Sequence, residues 1–159
     1  MKQQINHVSH VSFVYRLENL MAAKEEFANA FGITDWDGPE DIDAFDIRMV
    51  LSVSTGIELI APLHEENNRF ADHIRDKGEG FFAVIFGVAD VRAAARQAQQ
   101  KGIGMVCDPD GTPAIIDAMV MADGQPPFAT WNDKLRTYQE VWLSPIGGVQ
   151  ALLGQIEPR

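Results

Sequence analysis

Apolar and polar residues alternate from His7 to Tyr15 in the opening stretch "INHVSHVSFVY". Val11, Phe13 and Tyr15 share one face with His7, while His10, Ser12 and Val14 share the other. A period of two predicts a strand with one apolar and one mixed face. It also separates the two histidines: three residues apart, they point to opposite sides, so they form no ligand pair. From Leu17 the period lengthens. Leu17, Leu20, Met21, Phe27 and Phe31 recur at helical spacing around Lys24, Glu25 and Glu26, and Gly32 supplies the stop.

Residues 35–44 are acidic and turn-rich, with room for a short strand at their start. "FDIRMVLSV" (45–53) and "IELIAPL" (57–63) predict two strands around a Ser54-Thr55-Gly56 turn, the second ended by Pro62. Residues 64–80 are polar, with Phe70, Ala71 and Ile74 as the apolar face of a short connecting helix. The pattern then restarts. "GFFAVIFGV" (80–88) predicts a strand, Asp90 an N-cap, Val91, Ala94, Ala95 and Ala98 a helical stripe, and Gly102 its end. "TYQEVWLSP" (137–145) and "GVQALLG" (148–154) predict two closing strands.

"LSVSTGIEL" (51–59) matches "LSPIGGVQA" (143–151) in spacing, with Leu-Ser and the turn glycine identical. The chain therefore reads as a duplicated strand–helix–strands unit of the α+β class. The first module spans 1–63, a connecting segment 64–79 and the second module 80–159, within one compact domain overall. An insertion at 112–134 lengthens the second copy. Its Ile115, Ile116, Met119, Phe128 and Trp131 make it too apolar for a free loop, so it is expected to serve as a lid or a dimer surface.

The net charge of −10 and pI of about 4.7 argue against nucleic acid and anionic membranes as partners. The charge serves solubility, or a preference for a neutral or cationic small-molecule ligand. The lone Cys107 rules out an internal disulfide and fits a reducing compartment. Met1-Lys2-Gln3-Gln4 leads straight into the first strand with no signal-peptide pattern, so the expected location is cytoplasmic.

Glu58 stands between Ile57 and Leu59 in an apolar strand, where burial would raise its pKa and suit it to proton transfer. His10, on the mixed face, is a site candidate; His7, His64 and His73 read as structural or solvated. Glu140 matches Arg48 across the repeat, and is either an acid/base group or half of an ion pair with that arginine. Phe81, Phe82, Phe86, Trp131 and Trp142 are core or pocket aromatics. "DPDG" (108–111) is a turn, and Cys107 beside it has no neighbouring histidine.

The early strand-one histidine, "GIELIAP" closing one module and "GEGFFAVIFGVADVRAAARQAQQKGI" opening the next resemble the vicinal oxygen chelate superfamily. The look is closest to its methylmalonyl-CoA epimerase and glyoxalase branch, over roughly residues 5–155. The resemblance implies two tandem βαβββ modules forming a curved, half-open barrel with a central cavity, commonly a homodimer. It also implies a divalent metal held by a histidine on the first strand, Gln or Glu on the fourth, histidine on the fifth and Glu on the last. His10 and Glu58 fall on the first two positions; Ala83 and Leu152 occupy the other two. The repeat sets Gln150 opposite Glu58, which leaves His10, Glu58 and Gln150 as a metal set, or His10 and Glu58 as a metal-free acid/base pair. The function implied is an isomerase or lyase working on a carbonyl or acyl compound through an enolate-like intermediate. Glu58 and Glu140 would be catalytic, and Phe81, Ala83, Trp142 and Leu152 would contact the ligand. The alternative is a non-catalytic binder of a small, cationic drug, similar to bleomycin-resistance proteins. An extradiol dioxygenase needs a second histidine, which Ala83 removes.

Overall fold

In the computed structural model, which describes residues 5–121 and 123–159, the alternating opening stretch is strand β1 (Ile5–Val14). Met1 to Gln4, read above as its lead-in, lie outside the described residues. The chain divides into two compact units: His10–Phe82 form the first, and residues 5–9 join Ala83–Arg159 in the second. Both mix strands with helices, so the class is α+β. No helix among the described residues is long and apolar enough to cross a membrane.

The first unit continues through α1 (Leu20–Phe31), β2 (Asp37–Ile42), β3 (Ile47–Ser52), β4 (Ile57–Pro62) and α2 (Arg69–Lys77). Its strands lie in the order β2-β3-β4-β1, antiparallel except for the parallel pair β1 and β4. Helix α1 ends on Gly32, whose φ of +68° is the left-handed turn that a glycine adopts without a Cβ clash. Leu20 packs with Val50, Leu59 and Ala61, and Phe13 and Tyr15 join them. Odd-numbered positions of β1 and β4 therefore face α1, and even-numbered positions face away. Asn68 caps α2 by accepting from the amides of Phe70 (2.9 Å) and Ala71 (3.3 Å), and donates to the carbonyl of Asp46 (2.8 Å).

The second unit holds β5 (Gly80–Val88) from Ala83 onward, α3 (Val91–Gln100), β6 (Ile116–Asp117), α4 (Trp131–Lys134), β7 (Leu135–Trp142) and β8 (Gln150–Pro158). The order is β5-β8-β7-β6, again with one parallel pair, β5 and β8. Asp90 caps α3 through the amide of Ala93 at 2.9 Å, as its position predicts. Val91, Ala94 and Ala95 pack on Val141, Leu143, Ala151 and Leu153. Strand β8 runs to Pro158, four residues past the expected end, because it stays paired with β7 as far as Leu135.

The two closing hairpins differ by one residue in register, although their sequences align without a gap. In the first unit Ser52 pairs with Ile57 around a four-residue turn, 53–56. In the second, Ile146 and Val149 pair around Gly147 and Gly148, whose φ values of +58° and +81° are those of a type I′ turn. The ladder resumes with the amide of Leu143 donating to Ala151 at 3.1 Å, so three residues on one side span two on the other. A one-residue shift turns every side chain of β7 to the opposite face from that given by the sequence alignment. Glu140 thus corresponds to Ile47 rather than Arg48: Glu140 pairs with Gly154, and Ile47 with Pro62. Arg48 is itself held by Asp41 through bonds of 2.6 and 3.0 Å.

The insertion is anchored to its own unit. Trp131 is fully buried and stacks on Tyr138 at 4.6 Å, with Phe128 at 5.0 Å from the indole. Trp131 and Phe82 are core residues rather than pocket aromatics; Phe82 packs on Phe70 at 5.0 Å. Trp131→Ala should cost about 3–5 kcal/mol, the usual result of emptying a large aromatic site. Urea denaturation checks this, and a loss below about 1 kcal/mol would mean that the insertion is not anchored there.

Candidate functional site

The parallel register of β1 on β4 sets Ser12 directly beside Glu58. His10, two residues earlier, lies on the same face. The Ser12 hydroxyl donates to Glu58 Oε2, and His10 Nε2 lies 3.8 Å from that same oxygen. His10, Ser12 and Glu58 are 4%, 3% and 7% exposed. Burial drives the His10 imidazole down to about 3, so it is neutral throughout the physiological range. Burial also pushes the Glu58 carboxyl up to about 7, with the Ser12 hydroxyl pulling against it. The three side chains therefore form a buried polar cluster whose carboxyl changes protonation close to neutral pH.

The sheet extends this row. Leu51 on β3 pairs with Glu58, and Asp37 on β2 pairs with Leu51. Asp37 is 5% exposed. Neither Ser12 nor Asp37 was marked by the sequence as a site residue. Strand parity placed Ser12 on the face of His10, but only the β1–β4 register shows its partner. Asp37 sits in an acidic turn-rich stretch that gives no sign of burial.

Gln150 pairs with Ala83 and donates its amide to the carbonyls of Leu143 (2.8 Å) and Ala151 (3.2 Å). Leu152 (3% exposed) pairs with Ile85 and Trp142. Glu140 is half-buried over Gly154, where a Cβ would stand 3.8 Å from its Oε1 and 2.7 Å from Ile85 Cγ2. Phe81 is half-exposed and meets the edge of Phe13 at 6.4 Å. His7 is exposed and lies against Gly87, where a Cβ would clash with the imidazole. His64 is exposed and bound to Asp46 at 2.6 Å. A cleft of about 490 Å³ in the first unit is lined by Arg16, Leu17, His64 and Arg75, and includes none of His10, Ser12 or Glu58.

A divalent-ion site here would start from His10 and Glu58. Such sites use three or more protein donors. Among the described residues no three His, Cys, Asp or Glu side chains are grouped to hold one. His10 and Glu58 offer two.

Two βαβββ-patterned units, each closed by a parallel first and last strand, define a member of the vicinal oxygen chelate superfamily. Residues 7–149 match the glyoxalase-like domain family, and the chain belongs to it. No curated protein matches the sequence. Among solved structures, methylmalonyl-CoA epimerase from Mycobacterium tuberculosis is similar over 98% of this chain and 91% of its own, with a TM-score of 0.68 at 20% identity. A Streptomyces coelicolor methylmalonyl-CoA epimerase variant in complex with 2-nitronate-propionyl-CoA covers 95% of this chain and 97% of its own (TM-score 0.66, 18% identity). A hypothetical protein from Bacillus halodurans covers 93% and 92% (TM-score 0.65, 19% identity).

The buried carboxyl has a signature in stability. Glu58 keeps its proton up to about 7 when folded but releases it near 4.5 when unfolded, so the folded state loses ground as pH rises through that window. His10 acts oppositely: the unfolded chain takes its proton near 6.5 and the folded one only near 3, so stability falls with pH below 6.5. Glu58→Gln removes only the first effect. Relative to this variant, the wild type should lose on the order of 2 kcal/mol between pH 5 and pH 8 in denaturant titrations. An identical gap at both pH values would show that the carboxyl is not raised.

Proposed function

We propose that the protein is a small-molecule isomerase or lyase acting on a carbonyl or acyl compound through an enolate-like intermediate. The observation that carries this is the buried carboxyl of Glu58, pushed up to about 7 beside the neutral His10. A general acid/base works best when its pKa lies near the operating pH. As carboxylate, Glu58 takes the proton from the carbon next to the carbonyl. The C–H electron pair becomes the enolate C=C bond as the carbonyl π pair moves onto oxygen; reprotonation of that carbon from solvent on its other face completes the isomerisation, and Glu58 gives its proton to solvent. His10, held neutral, donates a hydrogen bond without adding charge. Glu140 is the second proposed acid/base group, and Phe81, Ala83, Trp142 and Leu152 are the proposed ligand contacts. Membership of the glyoxalase-like family supports the small-molecule class. Structural neighbours named for methylmalonyl-CoA, an acyl thioester, support the acyl substrate.

The second reading is a binding protein for a cationic aromatic ligand. It is favoured by the two-donor seat, the half-exposed Phe81 and the net charge of −10.

Deuterium uptake from D2O into a panel of 2-substituted acyl thioesters and ketones separates them. Wild-type protein should catalyse exchange at the carbon beside the carbonyl. Glu58→Gln should slow it by about 10²–10⁴-fold, the usual contribution of a general base, and His10→Ala should lower it as well. Dialysis against a chelator should leave the rate unchanged. Absence of exchange across the panel, together with tight binding of a cationic aromatic, would establish the binding protein instead.

A further inference from the structure

We propose that Ser12 is a positioning residue for Glu58, its hydroxyl fixing the carboxyl oxygen that faces His10. This rests on Glu58 as the proton-transfer group. Ser12 and Glu58 are register partners on adjacent parallel strands, so the hydroxyl reaches the carboxyl with no intervening element. The oxygen it engages is the one 3.8 Å from His10 Nε2, so a single bond sets the carboxyl's direction relative to the imidazole. The terminal torsion of a glutamate is broad and weakly preferred by itself. In a buried site a partner must hold it, and the flanking Leu51 offers no polar atom.

The second copy of the fold supplies an internal comparison. Its equivalent parallel pair is Ala83 beside Gln150. There the hydroxyl is replaced by a methyl group and the carboxyl by an amide. Without a hydroxyl opposite, Gln150 folds back onto its own hairpin and donates to Leu143 and Ala151. The hydroxyl and the carboxyl occur together in the first copy and are both missing from the second, as expected if they work as one unit. Asp37, two strands from Glu58 on the same row, and His10 lie on that face as well.

The experiment reads Glu58 directly. Infrared spectra of ¹³C-glutamate-labelled protein at pH 5.5, with Glu58→Gln subtracted, isolate the carboxyl band of Glu58. Ser12→Ala should move that band to higher frequency and broaden it, because the carboxyl loses its donor and its single orientation. Ser12→Thr, which keeps the hydroxyl, should restore the wild-type band. With a substrate in hand, Ser12→Ala should lower kcat by about tenfold with KM little changed, the pattern of a lost transition-state interaction. An unchanged band in Ser12→Ala, or a shift that Ser12→Thr fails to reverse in folded protein, overturns the assignment. The band is read without substrate. Retention of exchange in Glu58→Gln would therefore sink the proposed chemistry, while the band still decides whether Ser12 orients the carboxyl.

Discussion

A carboxyl group surrounded by protein on a strand between two apolar residues is costly to ionise, and the first unit is arranged around that cost. The parallel pairing of β1 with β4 sets a hydroxyl against Glu58 and a histidine one step further along the same face. The parallel pair also sets the topology, since parallel neighbours need a crossover, and α1 provides it on the face opposite the polar row. The same pleat that sends Phe13 and Leu59 into the helix-facing core sends His10, Ser12 and Glu58 away from it. Core and site are thus two sides of one alternation.

Duplication gives two copies of this layout and lets them diverge. In the second unit the parallel pair survives as Ala83 and Gln150, with no group able to move a proton, and Gln150 is bound to its own hairpin. The two turns diverge as well. A tight Gly147-Gly148 turn in place of the four-residue turn at 53–56 shifts the ladder by one residue and turns Glu140 onto the face of Gly154 and Ile85. Similar strands thereby carry different chemistry in the two copies.

Membership of the glyoxalase-like family defines an architecture on which many activities are built, so function rests on the side chains at the site. Here they are a neutral imidazole, a hydroxyl and a carboxyl that titrates near neutrality.

Much of this was legible in the residues themselves. Period-two alternation placed the long strands and separated His7 from His10. Helical stripes with Gly32 and Asp90 at their ends placed α1 and α3, and the apolar neighbours of Glu58 announced a raised pKa. These are local properties, set by backbone geometry within a few residues. What the residues left open depends on which strand lies beside which. The partnership of Ser12 with Glu58 spans 46 positions and follows from the β1–β4 register. Asp37, opposite Leu51 in the sheet, is buried despite its acidic, turn-rich sequence context. The displacement of Glu140 from its aligned counterpart follows from a one-residue difference between two hairpins whose sequences align without a gap. Register is a tertiary quantity: it is decided by turn geometry and by packing across strands, and a shift of one residue reverses every side chain while leaving the sequence pattern unchanged.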